Sequence, residues 1–111
     1  MSHKSDLKQI LEFREKRNWK QFHLLKNLAI SLSLEASEVL ELFQWTKDNN
    51  LPKDRKNELS EELADVYYWL LLLANDSGID LGKALKNKMQ INEKKYPEEK
   101  AKGKATKYNK L

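Results

Sequence analysis

The sequence predicts an all-α fold, a bundle of about four helices. Two observations carry this. Only three Gly and two Pro interrupt 111 residues, and no alternating run of β-branched residues marks a strand. Apolar side chains instead recur at three- and four-residue spacing over long stretches. The length suits one domain with a real core rather than two.

The first helix is expected after Ser5, a good N-cap, and carries Leu7, Ile10, Leu11 and Phe13 before breaking near Asn18. A short aromatic segment with Trp19, Phe22 and His23 follows. The second helix spans about residues 24–47, with an apolar stripe of Leu25, Leu28, Leu32, Val39, Leu42 and Phe43. Asn49, Asn50 and Pro52 supply the break. The third helix begins near Asp54 and reaches Asn75 or Asp76, where Gly78 is placed as its stop. Asp80 caps a fourth helix with Leu81, Leu85 and Met89, which ends before Pro97. The expected domain is residues 1–97, followed by a basic tail over 98–111.

Composition removes several function classes. With no Cys, disulfides, zinc–thiolate sites and cysteine nucleophiles are excluded. The first residues lack the apolar core of a signal peptide, and the longest strongly apolar stretch, around residues 66–74, is too short to span a bilayer. A cytoplasmic protein is expected. The net charge of +4 points less to nucleic acid than it first suggests. Residues 94–111 hold seven Lys against Glu98 and Glu99, whereas the rest of the chain is close to neutral. Basicity is a property of the tail, and such a tail is ordinarily solvated.

The chemistry lies in two carboxylate pairs. Glu35 and Glu38 sit three apart in the second helix, Glu62 and Asp65 three apart in the third. Residues at that spacing lie about 60° apart on a helix, so each pair projects from one side. On a helical wheel Glu62 falls within the narrow arc of Leu59, Val66, Trp69 and Leu73, with Asp65 at its margin. Glu35 lies between Leu42 and Leu28 in projection, with Glu38 at the edge. Glu61 and Glu41 rotate away and read as solvated. Ionised groups are rarely buried without partners, and no Lys or Arg stands one turn away on the same stripe as Glu38 or Glu62. A salt-bridged or interface role is the plainer alternative. Bound hard cations, Mg²⁺ or Mn²⁺, offset such a cluster more readily. A di-iron carboxylate bundle would need Glu-x-x-His. Here Glu38 and Asp65 occupy the third positions, and the only His are His3 and His23.

Glu-x-x-Glu followed by Glu-x-x-Asp on helices resembles the MazG-like, all-α nucleotide pyrophosphohydrolases. Further segments narrow the resemblance to the dCTP pyrophosphatase branch: Phe13-Arg-Glu, Trp19-x-Gln-Phe-His23, Asn27-Leu28, Glu41-Leu-Phe-Gln-Trp45, Glu61-Glu-Leu-x-Asp65, Lys88-Met-x-x-Asn92 and Tyr96-Pro97. Together they cover about residues 13–97. The resemblance implies Mg²⁺-dependent hydrolysis of a nucleoside triphosphate, dCTP or a modified dNTP, to monophosphate and pyrophosphate in nucleotide-pool cleansing. It implies that Glu35, Glu38, Glu62 and Asp65 hold the metal and carry catalysis, and that the chain assembles as a homodimer or dimer of dimers. By the same resemblance Trp19, His23, Asn27, Trp45 and Trp69 are candidates for the substrate pocket, and Lys88, Asn92, Lys95 and Tyr96 for phosphate or sugar contacts.

Trp69 stands where the branch usually has Tyr, losing a hydroxyl and gaining bulk. Trp45 and Trp69 each follow an acid by seven residues, roughly 10 Å along the axis. If the two helices run antiparallel, these rings point toward opposite ends of the site. Either Trp69 is then core, or a neighbouring chain completes the pocket. The rival functional class is a non-catalytic helical module that binds nucleotide or a protein. A nucleic-acid binder using the basic tail is the more distant alternative.

Overall fold

A computed structural model of the chain describes residues 3–46, 51 and 53–111. Every regular element among them is helical. They form two compact units, residues 1–78 and 79–111.

The first unit holds three helices. α1, His3–Lys16, carries Asp6 in its first turn and Arg14 and Lys16 in its last, each charge matched to the helix dipole. It starts before the expected Ser5 cap. It ends at Asn18, whose φ of 53° lies in the left-handed region that Asn tolerates better than most residues. The Asn18 and Trp19 amides donate to the carbonyls of Glu15 and Arg14, at 3.0 and 3.2 Å, so the frayed helix end is satisfied. A 3-10 turn over Lys20–Phe22 leads into α2, Leu25–Glu41. Beyond Glu41 the backbone continues in tight turns, with Phe43 and Gln44 amides donating to Leu40 and Glu41 carbonyls. The helix is therefore shorter than the apolar spacing through Phe43 suggests. The expected break at Asn49, Asn50 and Pro52 lies outside the described residues.

A 3-10 turn, Lys53–Arg55, precedes α3, Lys56–Asp76. Gly78 ends it at φ 69°, where a side chain would be strained. α2 and α3 pack against each other and run antiparallel. At one end the Arg55 guanidinium donates to the Leu42 carbonyl at 3.4 Å; at the other, the rings of His23 and Trp69 meet at 5.6 Å. The deepest core is small: Leu28 from α2 and Leu71, Leu72 and Ala74 from α3, with Arg14 from α1. Leu34, Leu40 and Leu63 stay exposed on the isolated chain.

In the second unit, the Asp80 carboxylate caps α4, Leu81–Lys95, by accepting from the Lys83 amide at 3.1 Å, as the sequence suggests. Tyr96 and Pro97 close α4, and a short α5, Glu98–Ala101, follows. The basic segment has defined structure. Tyr108 packs edge-on to Tyr96 with centroids 6.1 Å apart, and Lys95 Nζ lies 4.7 Å from the Tyr108 ring centroid. Among the described residues no helix is long and apolar enough to cross a membrane.

Candidate active site

Antiparallel packing of α2 on α3 brings the acids of one helix to those of the other, 24 or more positions away in the chain. One carboxylate oxygen each from Glu35, Glu62 and Asp65 lie within 4.8 Å of one another. Glu35 and Glu62 are half-buried, whereas Glu38, Asp65, Glu41 and Glu61 are all exposed, and Glu38 lies outside the converging trio. Oε2 of Glu35 and Oε2 of Glu62 are buried without a hydrogen-bond partner among the described residues. No ion pair from a described residue reaches the cluster; Arg14 is committed to Asp76.

The electrostatics follow from this crowding. Glu62 is pushed up to about 7, chiefly because Glu38 shares a hydrogen bond with its protonated form, then by desolvation and by repulsion from Glu38, Glu35 and Asp65. Glu35 is also raised, first by burial, then by Glu38 and Asp65. A hydrogen bond from Trp69 works the other way and favours its ionised form. Two carboxyls can hydrogen-bond only if one keeps its proton, so the cluster retains protons that separate acids would have lost.

Unpartnered buried oxygens, all-oxygen donors and no compensating base are what a hard divalent cation needs. The residues present therefore fit Mg²⁺ or Mn²⁺ ligation.

A cavity of about 610 Å³ borders the acids. Its walls include Glu35 and Asp65, the rings of Phe13, Trp19, Tyr68 and Trp69, and Asp6, Gln9 and Ile10 of α1. The aromatic walls brace one another edge-on. Phe13 meets Trp19 at 5.8 Å and Tyr68 at 6.3 Å, and Tyr68 meets Trp69 at 5.0 Å. At the rim, the Tyr67 hydroxyl donates to Asp6 Oδ2 at 2.8 Å, joining α1 to α3.

The structure thus gathers some of the sequence-derived candidates and separates others. Trp19, Trp69, Glu35 and Asp65 share the cavity. His23 stands behind Trp69 rather than in the cavity wall. Its Nδ1 lies 3.3 Å from Arg14 Nη1, and burial, then the Arg14 charge, lower its pKa. Asn27 faces outward, donating to the Phe22 carbonyl at 3.5 Å. Trp45 is 87% exposed and outside the cavity. Lys88, Asn92, Lys95 and Tyr96 belong to the second unit.

Sequence reasoning missed Asp6, Gln9, Ile10, Phe13, Ala64, Tyr67 and Tyr68 as cavity residues, and the Arg14–Asp76 ion pair. The one available signal was the spacing of Asp6, Gln9, Ile10 and Phe13, which places two polar groups on the same helical face as apolar ones.

Comparison with known proteins agrees with this arrangement. The dCTP pyrophosphatase 1 of Mus musculus is 39% identical over 105 residues, and that of Homo sapiens 40% over 106. Each alignment covers 90% of this chain and 62% of the relative, so the chain spans about three-fifths of these relatives' length. The crystal structure of a pyrophosphatase from Archaeoglobus fulgidus DSM 4304 superposes with a TM-score of 0.81 at 42% identity, covering 87% of this chain and 94% of that one. The model of the MazG-like family matches residues 30–111, which include all four acids. With the helical fold and the paired carboxylates of α2 and α3, these matches establish that the chain belongs to the MazG-like family.

Proposed function

We propose that this protein hydrolyses nucleoside triphosphates, dCTP or a related dNTP foremost, between the α and β phosphates, releasing monophosphate and pyrophosphate. The observation that carries the proposal is the pair of buried, unpartnered oxygens on Glu35 and Glu62 beside an aromatic cavity. The names of the mammalian relatives support the substrate class.

Glu35, Glu38, Glu62 and Asp65 would hold the cation. Mg²⁺ or Mn²⁺, when bound, supplies charge neutralisation for the triphosphate and acidifies a coordinated water. The chain's own residues do the rest. Trp19, Phe13 and Trp69 offer ring faces and edges to a base. Glu35 takes the proton of the attacking water; burial and then Glu38 and Asp65 raise its pKa, as suits a proton acceptor, and the hydrogen bond from Trp69 offsets part of that rise. Water adds across the phosphoanhydride, the α–β bridge breaks, and pyrophosphate leaves.

Assembly as a homodimer or dimer of dimers is part of the proposal. Trp45, Leu40 and Leu34 are large apolar side chains exposed on the isolated chain, and pairing two copies would cover them. The exposed Trp45 then reaches a neighbour's site. Lys88, Asn92, Lys95 and Tyr96 remain candidates for phosphate or sugar contacts.

The test is a nucleotide panel with Mg²⁺, reading both products. Monophosphate with pyrophosphate is the expected outcome. Diphosphate with orthophosphate would exclude the reaction, and no turnover across the panel would favour a non-catalytic nucleotide-binding module.

A further inference from the structure

Two polar side chains in the cavity wall are not used by the chemistry proposed above. Asp6 and Gln9 stand at the same α1 face as Ile10 and Phe13, which are apolar, and all four wall the cavity. Asp6 is fixed in place by the Tyr67 hydroxyl on its Oδ2 at 2.8 Å, which leaves Oδ1 to accept. Gln9 makes no hydrogen bond with a described residue, so its carboxamide is available to a ligand. Asp6 also lies outside the trio of carboxylates whose oxygens converge within 4.8 Å. Unlike Glu38, it is also not among the groups that act on Glu35 or Glu62, and without a cation a carboxylate repels phosphate. Its partner in the cavity must be a hydrogen-bond donor.

We propose that Asp6 and Gln9 read the edge of the base. They select bases with an amino group beside a ring-nitrogen acceptor, as in cytosine and adenine, over thymine and uracil, which carry no exocyclic amine. This rests on the nucleotide-hydrolase reading above. Asp6 Oδ1 accepts from the exocyclic amine, and the Gln9 amide donates to the neighbouring ring nitrogen. An oxo base presents a carbonyl to Asp6, and two acceptors then face each other. Gln9 can reverse its amide to suit either edge; Asp6 cannot. Asp6 is therefore the discriminating residue, and Gln9 contributes affinity.

The experiment compares kcat/KM for dCTP and dTTP in wild type, Asp6→Asn and Gln9→Leu, with folding checked by helicity. Wild type should favour dCTP by about tenfold or more, since a site built around a hydrogen bond rejects a ligand that cannot make it. Asp6→Asn, which can donate to an oxo group, should bring the ratio down to near one. Gln9→Leu should raise KM for dCTP with kcat largely kept. A wild-type ratio near one, or a ratio unmoved by Asp6→Asn, would overturn the inference. If no triphosphate is cleaved, the hydrolase reading fails, and the inference is then read separately from tryptophan fluorescence with dCMP and dTMP. Tighter dCMP binding that Asp6→Asn abolishes sustains it; equal or absent binding of the two overturns it.

Discussion

Arg14 and Asp76, 62 positions apart, form a two-pronged ion pair with contacts of 2.7 and 3.0 Å, and both side chains are less than a tenth exposed. The pair ties the last turn of α1 to the last turn of α3, directly beside His23 and Trp69. Its hydrogen bonds, led by that from Arg14, hold Asp76 below its ordinary value.

Removing one partner should therefore be costly. Arg14→Met or Asp76→Asn alone leaves a buried charge or donor uncompensated, a loss of about 3–5 kcal/mol. Melting followed by circular dichroism should show either variant strongly destabilised at pH 7, and the double variant Arg14→Met/Asp76→Leu less so. Because the folded carboxyl of Asp76 is depressed, its contribution is present above about its ordinary value of 3.8 and fades as pH falls through the lower folded value. Asp76→Asn should flatten this acid limb. Equal melting temperatures for wild type and Asp76→Asn would remove the pair as a structural tie.

The acid cluster should give the opposite pH dependence. Glu62 titrates at about 7 in the fold against 4.5 unfolded, so the folded state holds this proton more tightly. Stability from this group is complete below about pH 4.5 and is lost as pH rises to about 7. The metal-free protein should melt higher at pH 5.5 than at pH 8. Glu62→Gln should erase most of the difference, keep the fold and abolish turnover. A melting point well below wild type in Glu62→Gln at pH 8 would instead make Glu62 a structural ion-pair member.

Cation binding should release protons. Below pH 7 Mg²⁺ or Mn²⁺ must displace the shared proton of the Glu62–Glu38 pair, so apparent affinity should rise about tenfold for each pH unit there, then level off. Calorimetry in two buffers of different ionisation enthalpy reads the released proton directly. A binding enthalpy independent of buffer at pH 6 would contradict displacement.

The exposed Trp45 allows a test of shared sites. Trp45→Ala and Glu62→Gln should each be poorly active alone. If Trp45 serves a neighbour's cavity, a mixture re-equilibrated into mixed assemblies should regain activity above the mean of the two. Activity equal to that mean would confine each site to one chain.

Much of this was readable in the amino-acid order, and the limits have physical causes. Helical period alone assigned Glu35 and Glu62 to the inner face and Glu41 and Glu61 to the outer one, because that face is set locally. Asp80 and Gly78 were legible for the same reason: capping and left-handed backbone need particular residue types at fixed offsets. Arg14 was not. Its burial depends on Asp76, which no local pattern links to it. The Asp6–Tyr67 contact likewise required the packing of α1 on α3, which decides which of several mixed faces of α1 meets the cavity. The end of α2 was misplaced because Leu42 and Phe43 continue the apolar spacing while the backbone tightens into turns.

The unpartnered oxygens of Glu35 and Glu62 also bear on how this chain can change over generations. Retaining them is a standing cost to the fold, one that only ligand-bound protein recovers. A mutant library selected for heat resistance alone, without nucleotide or cation, would meet its easiest gains at positions 35 and 62. The survivors would keep the helices and lose the chemistry, so in this lineage durability and activity are set against each other at the same two atoms.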